Sequence, residues 1–159
     1  MMKKKFRYIG ISIAGCLLVG YLCQIVIQGS MDNWYNALDK PRFILPDRWI
    51  TPAWAMIFVL SGISAGLVWA KGYHHIWVKT ALYHFVFQLL FNALWALVFF
   101  GLQRPFAGLV VILILLTLIF LTIKWFKIIS RPAALLLVPY CLWVGYLAVV
   151  NYSIWALNP

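Results

Sequence analysis

The sequence predicts an all-α integral membrane protein: one bundle of five transmembrane helices, with a long extramembrane loop after the first. Three observations predict it. Hydrophobic residues make up 65% of the 159-residue chain and charged residues only 10%, where a soluble domain is about a quarter charged. The apolar residues fall into five runs, each near the roughly 20 residues that a helix needs to cross hydrocarbon. The runs are continuous, not alternating as in a lipid-facing barrel strand. Helices satisfy every backbone group without water, which an open strand does not.

The first span covers residues 8–28, behind Lys3, Lys4, Lys5 and Arg7. Ile13-Ala14-Gly15-Cys16 resembles a bacterial lipoprotein cleavage box. The apolar run continues well past Cys16 and four more spans follow, so a retained helix is expected. Residues 29–48 form the long connection and hold all three acidic residues, Asp32, Asp39 and Asp47. The remaining spans are 49–70, 80–102, 105–123 and 132–157, within a single domain of residues 1–159. Their connections are short, which makes sequential helices antiparallel neighbours.

Proline and glycine refine this picture. Pro52, Pro105 and Pro132 stand at helix starts, where a missing N–H costs little. Pro139 falls inside the fifth span and predicts a kink near Tyr140. Gly62 and Gly66, with Ser61 and Ala65 beside them, make a small-residue face suited to close helix packing or to a dimer contact. No internal repeat is present, which speaks against an inverted-repeat transporter.

A net charge of +10 would suggest nucleic acid in a soluble protein. Here the basic residues sit in short connections, so they read as an orientation signal and nucleic acid is not expected. The amino-terminal tail and the second and fourth connections hold nine of the thirteen Lys and Arg residues. The positive-inside rule then puts the amino terminus in the cytoplasm of a bacterial inner membrane.

Polar groups at membrane depth are costly and mark packing or function. His84, Gln88, Asn92 and Trp95 share one helical face of the third span. Thr51, Trp54, Phe58 and Ser61 form a stripe in the second, and Tyr140, Trp143, Leu147 and Asn151 one in the fifth. Any single amide serves well as interhelical glue. Three rows that set large aromatics beside amides suit instead a shared hollow for a planar apolar ligand. Conventional catalysis finds little material, because no carboxylate lies in a span. His74 and His75 lack companion metal ligands, and no metal site is expected. His84 could ligate haem iron, although a neutral hydrogen-bonding histidine is the simpler reading. Cys16, Cys23 and Cys141 lie in apolar runs and behave as small hydrophobes.

The segment Trp34-Tyr35-Asn36-Ala37-Leu38-Asp39-Lys40-Pro41 resembles the W-Y-x-x-L-x-K-P motif of the TspO/MBR family. These are the tryptophan-rich sensory proteins and the translocator protein, or peripheral benzodiazepine receptor. The likeness continues through Pro46 and Trp54, then Asn92-x-x-Trp95 with Phe99-Phe100, Pro139-Tyr140-x-x-Trp143, and Asn151-Tyr152-x-x-Trp155. The resemblance implies a five-helix bundle, commonly a homodimer, with a pocket beneath the first loop for porphyrin, haem, steroid or synthetic ligands. It implies that Tyr35 and Pro46 belong to the lid, and that Ile50, Trp54 and Phe58 line the pocket from the second helix. Asn92 and Trp95 would line it from the third, and Trp143, Leu147 and Val150 from the fifth. The chain departs from the family at Phe43, where Trp is frequent, and at Leu45-Pro46, where a Pro pair is frequent. Ala156 follows Trp155 in place of the Arg of the mammalian cholesterol segment, which weakens any sterol expectation.

The leading expectation is a membrane receptor or sensor for tetrapyrroles and related planar apolar molecules, needing no resident cofactor. The alternatives are a light-dependent porphyrin-degrading enzyme acting through Trp54 and Trp143, a transporter of porphyrin or sterol-like lipid, and a purely structural membrane partner.

Overall fold

The computed structural model describes residues 2–159, and no strand occurs among them. The helices are α1 (Met2–Met31), α2 (Asp47–Trp69), α3 (Ile76–Ala96), α4 (Pro105–Ile129), α5 (Arg131–Leu136) and α6 (Val138–Leu157). Helix α3 runs on through a π turn at Leu97–Gly101, and α5 with α6 makes one interrupted span, so five segments are long and apolar enough to cross a membrane.

Two helices outrun their expected ends. Helix α1 begins at Met2, six residues before the expected residue 8, and α4 continues to Ile129 past the expected 123. Lysines do not stop a helix, because their stems can lie along apolar surface while the ammonium reaches water. The connection between α4 and α5 shrinks to Ser130, whose backbone is extended (φ −156°). The expected kink takes the form of a break at Leu137, two residues before Pro139. Helix resumes with Cys141 N–H donating to the Leu137 carbonyl at 3.0 Å.

Around the bundle the order is α1, α2, α5–α6, α4, α3 and back to α1. Helices α2 and α3 touch only lightly, which corrects the expectation that every sequential pair would be close neighbours. Helix α1 lies on the same flank of α2. A Cβ at Gly62 or Gly66 would collide with the backbone of Ile13 or Ile9, respectively. The small-residue face is therefore spent inside the chain on α1 and is not free as a dimer contact. Only 11% of the most apolar stretch of α1 is buried, against 44% in the last span, so α1 depends on this seam.

The core between the helices is mostly apolar, with Phe99, Ile112, Leu115, Ile119, Phe126, Val144 and Ile154 buried. Ser64 Oγ donates to the Ala133 carbonyl at 2.6 Å and joins α2 to α5. In the π turn Leu102 N–H reaches the Leu97 carbonyl at 2.8 Å. The Phe100 carbonyl there accepts from Ser30 Oγ at 2.5 Å, tying the end of α1 to the end of α3.

Candidate ligand cleft beneath the first loop

Residues 32–46 fold back over the bundle end. The chain makes a 3-10 turn at Tyr35–Ala37. Trp34 sets its edge against Phe99 (ring centroids 5.6 Å apart), and Tyr35 lies 5.3 Å from Phe100. Tyr35 is buried, and the Lys40 ammonium stands 4.6 Å over its ring. Burial, and then the nearby Asp47 carboxylate, push the Tyr35 phenol up from 10 to about 12.

Two polar clasps fasten this lid to α6. Asn158 accepts from the Asp39 N–H at 3.0 Å and donates Nδ2 to the Asp39 carbonyl at 2.9 Å. The same Nδ2 also reaches the Ile154 carbonyl at 2.8 Å. Tyr146 Oη accepts from the Leu45 N–H at 2.9 Å. An amide that meets both groups of one backbone residue acts as a strand partner would, adding a polar tie to the aromatic anchors Trp34 and Tyr35.

Beneath the lid is a narrow cleft of about 80 Å³. That is below the roughly 300–1,000 Å³ of ligand pockets in general, so a large ligand requires the lid to lift. Helix α1 supplies Gln24, Ile27 and Met31, and α2 supplies Asp47, Ile50, Thr51 and Trp54. Trp95, Phe99 and Phe100 form the α3 side, and Leu147, Val150 and Ile154 the α6 side. The wall is largely aromatic and aliphatic, with polar groups confined to Gln24, Asp47, Thr51 and the tips of Tyr35 and the indoles.

Trp54 is the hub. Its ring stacks on Phe58 at 5.5 Å and lies 6.3 Å from Trp95 and 6.1 Å from Trp143, the last edge-on. Below it, Asn92 donates to Tyr140 Oη at 2.7 Å. Trp95 Nε1 donates to Asn151 Oδ1 at 3.0 Å, and Asn151 Nδ2 donates to the Pro105 carbonyl at 2.8 Å. The amides of α3 and α6 thus fix the aromatic wall from behind. Trp143 Nε1 is buried without a protein partner, as are Ser61 Oγ and both ends of the Gln88 amide.

Of the ten residues singled out from the sequence, Tyr35, Ile50, Trp54, Trp95, Leu147 and Val150 lie on this cleft. Phe58 and Asn92 lie on a smaller hollow directly below, which shares Trp54 and Trp95 with it. Trp143 stands behind Trp54, against Tyr146. Pro46 is exposed at the start of α2 and lines neither space. His84 faces away: its Nδ1 bonds the Thr80 carbonyl at 2.8 Å, and its ring lies beside Trp125 at 5.9 Å.

Sequence reasoning missed the α1 wall of Gln24, Ile27 and Met31, as well as Asp47 and Ile154. Helix α1 has no polar stripe to reveal its inner face. Asp47 reads as a solvated loop carboxylate until the start of α2 places it at the rim. Phe99 and Phe100 were visible as part of a motif, but the π turn that swings both inward leaves no trace in the sequence.

A five-span helical bundle whose lidded aromatic cleft opens at one membrane face defines a class of multi-pass membrane proteins. The TspO/MBR family profile matches residues 12–156, and this chain belongs to that family. It is 35% identical to the tryptophan-rich protein TspO of Chlorobaculum tepidum over 158 residues, 99% of this chain and 100% of that protein. The tryptophan-rich sensory protein of Cereibacter sphaeroides is 33% identical over 129 residues, covering 80% and 78% of the two chains. The translocator protein of Ovis aries is 31% identical over 141 residues, covering 87% and 83%.

Proposed function

We propose that this protein is a membrane receptor or sensor that binds a tetrapyrrole, such as porphyrin or haem, or a related planar or sterol-like apolar molecule, beneath its first loop. The observation that carries the reading is the wall built by Trp54, Trp95, Phe99, Phe100 and the lid residue Tyr35 around a narrow cleft, which lifting of the lid would widen. Flat π faces bury a large planar ligand at little entropic cost, since each ring has only two torsions to fix. The names of the sensory and translocator relatives favour a receptor over a housekeeping scaffold. The ligand is cargo or signal here, and no resident cofactor is required.

The concentration of basic residues at the end opposite the lid supports a cytoplasmic amino terminus in a bacterial inner membrane. The lid would then face the other side. Homodimerisation belongs to this proposal on the family resemblance alone, and crosslinking in intact membranes tests it.

Quenching of tryptophan fluorescence by protoporphyrin measures binding directly. Saturable quenching is expected, weakened several-fold in Trp54→Phe, Trp143→Phe and Asn92→Ala. Affinity unchanged in all three variants removes the cleft as the binding site.

The contiguous indoles Trp95, Trp54 and Trp143 favour a second reading, in which an indole gives one electron to a photoexcited porphyrin, becoming a radical cation, and the porphyrin radical anion is then broken down with dissolved dioxygen as oxidant. Illuminated protein should then consume protoporphyrin faster than the Trp54→Phe/Trp143→Phe variant. Equal rates dismiss it.

A further inference from the structure

We propose that the end of the bundle opposite the lid carries a groove for the headgroup of an anionic phospholipid from the adjacent leaflet. This open groove holds about 730 Å³ and shares no lining residue with the cleft under the loop. Lys4 and Lys5 line it from the first turns of α1, Lys71 from the turn after α2, and Ser130 from the junction of α4 and α5. Three lysines from two separate segments therefore line one groove, together with a serine from a third.

Among the described residues no side-chain carboxylate stands beside them. All three acidic residues, Asp32, Asp39 and Asp47, fall in the segment at the lid end. Like charges brought together repel unless an anion joins them. Orientation alone does not require this convergence, because the positive-inside rule counts charges and ignores where they point. Lys3, Arg7, Lys79, Lys124, Lys127 and Arg131 lie at the same end without lining the groove.

The floor identifies the anion as a lipid. Tyr8 and Trp69 stack at 4.7 Å within the groove wall, and paired amphipathic rings sit at headgroup level. Leu67 and Pro132 continue the lining with apolar surface, which suits the start of an acyl chain. A basic pocket between helices at the membrane boundary is a known physical solution for anionic headgroups.

The test uses the full chain in nanodiscs of phosphatidylcholine containing a minor fraction of phosphatidylglycerol, with retained lipids counted by native mass spectrometry. Preferential retention of phosphatidylglycerol is expected. It should fall at least about 10-fold in Lys4→Gln/Lys5→Gln/Lys71→Gln, since each lysine near an anionic surface contributes roughly fivefold. The charge-matched control Lys79→Gln/Lys124→Gln/Lys127→Gln should retain it, and so should the Lys→Arg triple at the groove positions. Equal loss in both Gln triples would reduce the effect to diffuse electrostatics and overturn the site. No preference in the wild-type chain would overturn it too, and displacement of the lipid by millimolar inorganic phosphate would overturn the lipid assignment. Helix content by circular dichroism checks that each variant is folded.

Discussion

A methyl group placed on the α1–α2 seam should destabilise the bundle, whereas the same group one face away should not. At Gly62 an added Cβ would lie 2.5 Å from Ile13 Cα and 2.7 Å from its N. Carbon atoms in contact rest roughly 3.5–4.0 Å apart, so the shortfall is about 1 Å. The obstacle is the backbone of α1, not the end of a flexible side chain, so the helix must move as a unit. Gly66 meets Ile9 in the same way one turn along. Overpacking of this kind costs about 1–3 kcal/mol per site. Two adjacent sites share one displacement, so the double variant should lose less than the sum of its parts. Gly10 and Gly15 of α1 have nothing within 4 Å of a new Cβ. Alanine there should be neutral or stabilising by up to about 1 kcal/mol, from helix propensity. Because α1 also carries Gln24, Ile27 and Met31 of the cleft wall, the displaced helix should weaken porphyrin binding as well. Denaturation in mixed detergent micelles, with fluorescence titration of ligand, reads both effects. A Gly62→Ala/Gly66→Ala variant as stable as Gly10→Ala/Gly15→Ala would refute the reasoning.

Asn151→Leu leaves the Trp95 N–H and the Pro105 carbonyl without their partner. At about 0.6–2 kcal/mol for each interhelical bond in a membrane, detergent unfolding should show a loss of about 1–4 kcal/mol for the two. An unchanged transition would show that the amide fixes nothing. Asn158→Ala removes both bonds to Asp39, so residues 32–46 should be cut faster by protease and ligand should dissociate faster, with helix content unaltered. Alkali tests the lid from another side. The Tyr35 phenol is raised from 10 to about 12 by burial, so the folded state holds this proton more tightly than the unfolded chain. Its contribution is whole below pH 10 and is lost as pH climbs from 10 to about 12. Tyr35→Phe should flatten that part of the stability–pH curve, and an identical curve would show that Tyr35 is not buried.

The five helices, the long loop, the interruption near Pro139 and the confinement of acidic residues to that loop were all legible in the residues. The reason is solvent: hydrocarbon offers backbone groups no alternative partner, so long apolar runs are committed to helix before any packing is decided. Phe58, Asn92 and Trp95 could also be seen to share the cleft's neighbourhood, because amides at helical spacing single out an inward face. Which apolar faces look inward elsewhere was decided only by tertiary structure. Lipid and protein interior are equally apolar, so α1 gives no periodic hint that Ile27 and Met31 line a cleft while Ile25 faces out. The π turn that aims Phe99 and Phe100, and the clasp of Asn158 on a loop residue 119 positions away, likewise depend on contacts between segments that local sequence cannot report.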